Sequence, residues 1–301
     1  MIDFNVPRSK DCITIDTKDW RPNNTSGLEV RRLSGKTVPT YVAQVINVNI
    51  QNQKLKGLMK NDLVLISRVA SEVAEFRTFA IERDDKRFYN VPVMQVLGYF
   101  KYGIPDFNGL TMLFDKILIK KIDNPLNGSL MLKDDNTLIG EVVKVGTCRF
   151  DNDGDMQELQ VKVGDKVLVR DNVSTEIILD GKLYYATEEA MVAGVLPEGA
   201  KSLDEIKLIN KSIICEPYLP EKVLDSKLLI TPVLDYEDED LTDIYNRNLF
   251  KVLTSDVNLT NIEKNDILLI DRNMTNYVYF NGTKYFITQG LEYVEGKVIS
   301  K

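Results

Sequence analysis

The sequence predicts an all-β protein made of three tandem β-barrel domains, and three observations lead to this prediction. A pattern of strands and turns recurs about every hundred residues along the chain. The apolar runs are short and rich in β-branched residues, and no long segment has the period of an amphipathic helix. Closing such strands into barrels covers the sheet edges that they would otherwise expose.

The repeat is clearest at a tight turn that contains Asp and leads into an apolar strand. This turn and strand occur at Lys60–Ile66, Val163–Val169 and Lys264–Ile270. An aromatic strand follows each of them, at Lys86–Tyr89, Lys182–Tyr185 and Lys284–Ile287. A repeat of this length is a complete small domain rather than a solenoid unit. We therefore predict domains at residues 1–103, 104–200 and 201–301.

The middle domain has the most regular pattern. A predicted strand at Leu113–Lys120 is followed by the turn-forming cluster Asn124–Gly128 and by a β-branched strand at Gly140–Gly146. The polar segment Phe150–Asp155 then predicts the tip of a hairpin. The domain ends with the segment Glu188–Leu196.

The two outer domains keep the same order of elements with different loops. Cys12–Ile15 opens the first domain, and a long loop separates it from the strand Tyr41–Val48. Ile213–Cys215 opens the third domain, in which the acidic stretch Asp235–Asp240 is inserted. We expect the loops, rather than the strands, to distinguish the three domains.

The middle domain resembles the GroES family of small co-chaperonins over residues 110–196. The resemblance is carried by Leu113–Lys120, Gly140–Gly146, Val161–Val169 and Glu188–Leu196, whose order and spacing match the family. Val161–Val167 is the most specific of these segments. The resemblance implies three GroES-like, partly open β-barrels, with the outer two more divergent than the middle one.

The resemblance also implies a mobile first loop with an apolar tripeptide that docks on the rim of a large GroEL-type chaperonin ring. In the middle domain the matching residues are Leu130, Met131 and Leu132, although the sequence leaves open that Leu130 and Leu132 continue a strand into the core. The corresponding residues of the other two domains are Leu228, Leu229 and Ile230, and Leu28 and Val30, between which Glu29 interrupts the apolar triplet.

In the family, the hairpin after the second strand roofs the dome that encloses a folding client. The resemblance assigns this role to the hairpin with Phe150, Asp153 and Gly154. The matching segments of the outer domains, Asn47–Lys60 and Thr254–Lys264, are too short for such a hairpin. A ring built from this chain would therefore have an uneven roof.

Composition argues against several classes of function. The net charge of −7 disfavours binding to nucleic acid, which depends on Lys and Arg that neutralise phosphates. With no histidine and three scattered cysteines, the chain offers no His-based catalysis and no zinc site, so we expect neither an enzyme nor a cofactor. The sequence lacks a membrane-length apolar run and a secretory signal, which predicts a cytoplasmic protein without membrane association.

Two functions remain from the sequence. The first is a non-enzymatic co-chaperonin-like homo-oligomer that docks on a large chaperonin ring through its apolar loops and assists protein folding. The alternative is a phage structural or assembly protein, a virion, tail or head ring component that uses the barrels as building blocks; its partners would then be other phage proteins and its location the virion.

Overall fold

A computed structural model of the chain describes most of the strands that the sequence predicts. The described residues are 12–16, 30–31, 37–38, 42–48, 57–67, 81–83, 86–100, 105–122, 137–150, 155–170, 174–200, 202–218, 249–270, 276–280, 283–289 and 294–298. They form short strands, joined in places by single 3-10 turns, so the all-β prediction is confirmed.

The first sheet has seven strands and extends from the N-terminal region to residue 112. Its hydrogen-bonded order is β6-β7-β1-β4-β5-β8-β9. The strands are β1 (Cys12–Asp16), β4 (Val42–Val48), β5 (Leu63–Ile66), β6 (Ile81–Arg83), β7 (Lys86–Pro92), β8 (Val96–Phe100) and β9 (Leu110–Met112). Between β1 and β4, strands β2 (Val30–Arg31) and β3 (Thr37–Val38) pair as a separate antiparallel ribbon.

The middle sheet also has seven strands, in the order β15-β16-β10-β11-β14-β17-β18. The strands are β10 (Lys116–Lys121), β11 (Thr137–Val145), β14 (Lys166–Arg170), β15 (Thr175–Leu179), β16 (Lys182–Glu188), β17 (Val192–Leu196) and β18 (Lys207–Leu208). Between β11 and β14, strands β12 (Arg149–Phe150) and β13 (Met156–Gln157) form an antiparallel ribbon. The predicted hairpin is thus present as a separate element.

The third sheet has six strands, in the order β22-β23-β19-β20-β21-β24. The strands are β19 (Ser212–Pro217), β20 (Leu249–Ser255), β21 (Ile267–Ile270), β22 (Asn276–Phe280), β23 (Thr283–Gln289) and β24 (Val294–Val298). This order matches the first six positions of the other two sheets. Within the described ranges, the seventh strand, which β9 and β18 supply in those sheets, has no counterpart in the third sheet.

The turn with Asp that recurs in the sequence has the same backbone geometry in all three sheets. The backbone N–H groups of Asn61, Gly164 and Asn265 each donate a 2.8 Å hydrogen bond to a valine carbonyl of the neighbouring second strand. All three residues have a positive φ, of 72°, 94° and 74° respectively, a conformation that favours Gly and Asn. The backbone therefore explains the choice of residue before each Asp.

In the first and third sheets, the Asp of this turn stabilises it through its side chain. The Asp62 carboxylate accepts a hydrogen bond of 2.7 Å from the N–H of Met59, and the Asp266 carboxylate accepts one of 2.7 Å from the N–H of Glu263. An acceptor three residues after the donor closes the turn locally, as Asp does in many turns. These two sheets can therefore form the turn from local sequence.

The opening strand of the middle domain begins later than predicted. The sequence indicated a strand at Leu113–Lys120, whereas β10 begins at Lys116 and continues to Lys121. Phe114 has a φ of 50°, which interrupts the extended backbone between β9 and β10. The chain turns at Phe114, and β9 pairs with β8 instead of extending β10.

The described residues pack into two compact units, and the middle sheet contributes strands to both. One unit is drawn from residues 1–121, 141–164 and 173–189, and the other from 122–140, 165–172 and 190–301. The core of the first unit includes Leu65, Phe100 and Leu118, all of which are fully buried. In the second unit, Phe250 and Phe286 pack with ring centroids 4.9 Å apart.

Candidate functional site

The connections of the middle sheet leave it at two opposite ends. The N–H of Gly146 donates to the carbonyl of Lys116 at 2.8 Å, which places the end of β11 beside the start of β10. The connection from β10 to β11 therefore leaves one end of this strand pair, and the connection from β11 to β14, which contains β12 and β13, leaves the other end. We call the second one the hairpin end.

The outer sheets direct their connections in the same way. In the first sheet, Ile13 pairs with Val48 and Asp16 with Gln44, so residues 17–41 and 49–62 leave opposite ends of the β1–β4 pair. In the third sheet, β19 and β20 have the equivalent register, from Ile213–Ser255 to Pro217–Phe250. In each sheet the predicted docking segment belongs to the connection between the two strands of one pair, which is β1–β4, β10–β11 or β19–β20. This connection leaves the pair at the end opposite to the one that corresponds to the hairpin end.

Most of the predicted docking residues lie outside the described part of the chain. These are Leu28, Leu130, Met131, Leu132, Leu228, Leu229 and Ile230. Val30 lies in β2, where its backbone pairs with that of Val38. The structure thus fixes the strands on either side of each docking segment, and the assignment of the docking residues themselves stays a prediction.

The hairpin β12–β13 contains one of the three predicted roof residues within the described chain. Phe150 pairs with Met156, and Arg149 pairs with Gln157. Asp153 and Gly154 lie outside the described residues. The side chain of Met156 is 73% exposed, so the hairpin presents an apolar side chain to solvent.

The base of the hairpin packs against the turn before β10. The N–H of Cys148 donates to the carbonyl of Phe114 at 3.3 Å, and the rings of Phe114 and Phe150 meet edge to face at 5.8 Å. A Cβ at Gly146 would lie 2.0 Å from the carbonyl oxygen of Phe114, so only glycine fits there. These contacts attach the first strand of the hairpin to the barrel.

A buried carboxylate, Glu189, attaches the other side of the hairpin. Glu189 is 1% exposed, and its Oε1 accepts hydrogen bonds from the backbone N–H groups of Gln160 and, at 3.0 Å, Val161. An Arg149 nitrogen lies 4.0 Å from the other carboxylate oxygen. Burial raises the pKa of the Glu189 carboxyl above its usual range, and the charge of Asp115 acts in the same direction, against the opposing N–H groups and Arg149.

A buried lysine lies next to this carboxylate. The side chain of Lys116 is fully buried, and its Nζ contacts Asp115 at 2.8 Å and Glu188 at 2.9 Å. Two carboxylates therefore compensate the buried charge. Sequence patterns did not indicate a role for Asp115, Lys116 or Glu189. The pattern that could have indicated one is the Glu188–Glu189 pair directly after an aromatic strand.

Sequence reasoning also missed two strand pairs, β8–β9 and β17–β18. Strand β8 pairs with β9, with Gly98 opposite Met112, and β17 pairs with β18, with Gly194 opposite Leu208. A Cβ at Gly98 would lie 2.6 Å from the carbonyl oxygen of Thr111. The sequence feature that could have indicated this pairing is a glycine at the centre of the last strand of each predicted domain.

Glycine occupies the same place in the last strand of the third sheet. Gly296 in β24 lies opposite Leu269, as Gly98 lies opposite Leu65 and Gly194 opposite Leu168. Among the described residues, no atom lies within 4 Å of a Cβ built at Gly296. The described part of the chain therefore has no strand beside β24 in the place that β9 and β18 take in the other sheets.

Other kinds of site are absent from the described part of the chain. Its acidic and cysteine side chains form no group that could hold a metal ion, and its helical turns are too short to cross a membrane. Cys148 and Cys215 are buried free thiols.

Comparison with known proteins identifies the family of the middle region. A family model described as the chaperonin 10 kDa subunit matches residues 109–196. The co-chaperonin GroES of a Hydrogenobaculum species is 31% identical over 93 residues, which cover 29% of this chain and 97% of the relative. The GroES of Myxococcus xanthus is 33% identical, with 28% of this chain and 93% of the relative covered.

A eukaryotic relative gives the same alignment. The mitochondrial 10 kDa heat shock protein of Oryzias latipes is 30% identical over 93 residues, which cover 29% of this chain and 94% of the relative. The matched region contains the whole of β10 to β17, including the hairpin and the buried Glu189. Because relatives that are at least 30% identical to this chain match over nearly their full length, the chain belongs to the chaperonin 10 kDa subunit family, the family of the GroES co-chaperonins.

Proposed function

We propose that this protein is a non-enzymatic co-chaperonin that docks on a large GroEL-type chaperonin ring and assists protein folding. The observation that carries the proposal is the family match over residues 109–196, which includes the connection with Leu130, Met131 and Leu132. The two bacterial relatives are named co-chaperonins, and we do not propose the virion role. The proposal implies a location in the cytoplasm, where the chaperonin would be found.

Docking would use short apolar segments that leave equivalent ends of the three sheets. An apolar triplet in a polar connection can enter a groove on the partner, with a gain of about 1.5–3 kcal/mol for each side chain that becomes fully buried. Ordering the connection on binding offsets much of that gain. Each contact alone would therefore be weak and reversible.

The tandem arrangement would compensate for weak individual contacts. Once one segment is bound, the others are held at a high effective concentration near the ring. The segments Leu130–Leu132 and Leu228–Ile230 are fully apolar, whereas Glu29 interrupts the first one. We expect the middle and third domains to supply most of the binding energy.

We further propose that the chain consists of three copies of this domain, at residues 1–103, 104–200 and 201–301. The shared strand order of the three sheets supports this division, and so do the equivalent turns at Asn61, Gly164 and Asn265. The family match itself covers only the middle copy.

Successive domains would be held together by the strand pairs β8–β9 and β17–β18, and the same pairing between chains would make the protein a homo-oligomer. Strands β9 and β18 end a few residues before the opening strands β10 and β19. The equivalent segment before β1 is Val6–Arg8, which lies outside the described residues. We propose that this segment of one chain pairs with β24 of a second chain.

Such a contact joins two different surfaces and would repeat head to tail. A head-to-tail contact produces a closed ring when its rotation closes and a filament when it does not. A closed ring of this kind would suit a lid on the chaperonin ring.

The docking proposal is tested by removing the apolar segments. We expect the variant with Leu130→Ser and Met131→Ser to lose most of its binding to a GroEL-type chaperonin in the presence of nucleotide, as measured by native mass spectrometry. Adding Leu228→Ser and Leu229→Ser should abolish the remaining binding. Both results follow from the loss of apolar area that is buried on docking.

The matched control changes apolar residues at the hairpin end. Met156 and Val163 are 73% and 59% exposed, so Met156→Ser and Val163→Ser remove two exposed apolar side chains from the same domain. This control should bind the chaperonin as the wild type does. Equal loss of binding in the control, or full binding by the four-residue docking variant, would contradict the proposal.

A further inference from the structure

One buried side chain contacts both sides of the hairpin β12–β13. Glu189 accepts hydrogen bonds from the N–H groups of Gln160 and Val161, which follow β13. The guanidinium of Arg149, in β12, lies 4.0 Å from the same carboxylate. The backbone of Glu189 is itself held to the barrel, because its N–H donates to the carbonyl of Asp115 at 2.7 Å.

The first sheet has a different residue at this position and a shorter connection. Glu189 is the first residue of the 3-10 turn after β16, and Val93 is the first residue of the 3-10 turn after β7. Both side chains are buried, at 1% and 3% exposure. The connection from Val145 to Lys166 carries the hairpin, whereas the corresponding one from Val48 to Leu63 is shorter. The buried carboxyl therefore occurs where there is a hairpin to attach.

Stability alone does not account for a carboxyl at this place. A buried carboxylate loses its hydration, and an apolar residue of similar size is often as stabilising or more so. The valine of the first sheet shows that the fold accepts an apolar residue there. The carboxylate adds a defined orientation of the hairpin, because it accepts hydrogen bonds from the backbone on one side of the hairpin and faces a guanidinium on the other side.

We infer that Glu189 is a positioning residue that fixes the orientation of the hairpin on the middle barrel. It does so by bridging the two sides of the hairpin base, while the contact between Phe114 and Phe150 provides a hinge on one side only. This inference does not depend on chaperonin docking, since the docking segments leave the opposite end of the sheet. Its failure and the failure of the docking proposal are therefore separate outcomes.

The test measures amide hydrogen exchange by NMR in the full-length protein with Glu189→Val, the residue type of the first sheet. We expect the amides of Gln160 and Val161 to exchange about tenfold faster or more, because they lose a charged acceptor. Exchange in β10 and β16 should stay at the wild-type rate. The unfolding midpoint should stay close to that of the wild type, because the desolvation cost of the carboxylate is also removed.

The control is Glu188→Gln, which removes the charge of the neighbouring acid. Glu188 contacts Lys116, for which Asp115 remains as a partner, so hairpin exchange should be unchanged. Wild-type exchange at Gln160 and Val161 in Glu189→Val would overturn the inference. Equally faster exchange throughout β10 and β16 would also overturn it, since it would assign Glu189 to general stability.

A second variant keeps the inference testable if Glu189→Val does not fold. Glu189→Gln replaces the charged acceptor with a neutral carbonyl, which accepts a weaker hydrogen bond. The amides of Gln160 and Val161 should therefore exchange faster than in the wild type, while β10 and β16 keep the wild-type rate. Wild-type exchange at both amides would overturn the inference.

Discussion

Strands β17 and β24 occupy the same position in their sheets but have different surroundings. β17 is paired on both sides, with β14 and β18, and is almost entirely buried. β24 pairs with β21, and within the described residues its second edge is open, with Glu295 and Lys297 exposed. Both strands nevertheless have glycine at the centre, Gly194 and Gly296.

The difference separates what the fold needs from what a neighbouring strand needs. A glycine inside a strand weakens it, since it adds backbone entropy to the unfolded chain and no side chain to the packing. At Gly98 and Gly194 an adjacent strand requires the missing side chain. At Gly296 the described part of the chain contains no such strand. The glycine there is explained if a strand from another copy approaches β24.

Among substitutions of these glycines, the largest loss of folding stability is expected at Gly98. A Cβ there would lie 2.6 Å from the carbonyl oxygen of Thr111 and 3.0 Å from a methyl group of Leu110. Since a backbone carbonyl cannot move without displacing β9, Gly98→Ala should reduce the free energy of unfolding by about 3 kcal/mol. Urea denaturation measures this loss. A stability equal to that of the wild type would show that β9 separates readily from β8.

The pairing of β8 with β9 also shows which parts of the structure the sequence predicts and which it does not. The turn at Asn61–Asp62 and the hairpin of Phe150 depend on residues close in sequence, so local patterns were sufficient to predict them. The pairing of β8 with β9 depends on the left-handed conformation of Phe114, which no residue preference indicates. It was therefore missed, together with the later start of β10.

The hairpin attachment was missed for a related reason. Glu189 lies 28 residues after its partner Val161, and a lone acidic residue at the end of a strand usually lies in solvent. Only the folded barrel brings the carboxyl beneath the hairpin. The docking segments were instead assigned from the family resemblance, and their role stays a prediction for the binding experiment to decide.

A smaller effect is expected at Gly194. The nearest atoms to a Cβ there are methyl groups of Ile206 at 2.6 Å and Leu208 at 3.0 Å, and the carbonyl oxygen of Lys207 lies at 3.1 Å. Because side chains can shift more readily than a backbone carbonyl, Gly194→Ala should cost about 1 kcal/mol. The comparison of Gly98→Ala with Gly194→Ala by urea denaturation tests this order. The opposite order would mean that the β17–β18 pairing is the more rigid junction.

Substitution of Gly296 is expected to change the folding stability least among the three glycines. It is expected to change the assembly of chains most. In a separate chain, Gly296→Ala should leave the free energy of unfolding unchanged or raise it by about 0.5 kcal/mol, because the new side chain meets open space and the unfolded chain loses entropy. Gly296→Val should keep the fold but prevent a second chain from approaching β24. Light scattering should then show only single chains. Glu295→Val adds similar bulk one residue away, where the side chain points to the other face of the strand, and should still assemble.

Mixing two assembly-deficient variants distinguishes a head-to-tail contact from a symmetric pairing of β24 with itself. A chain that lacks residues 2–8 keeps an intact β24, and Gly296→Val keeps an intact N-terminal segment, so each variant alone should remain a single chain. Mixed together, they should form a one-to-one dimer and no larger species, because one complementary pair of surfaces remains. Assembly of the deletion variant alone would instead indicate that β24 pairs with a second β24, and assembly of Gly296→Val alone would show that this edge is not the contact.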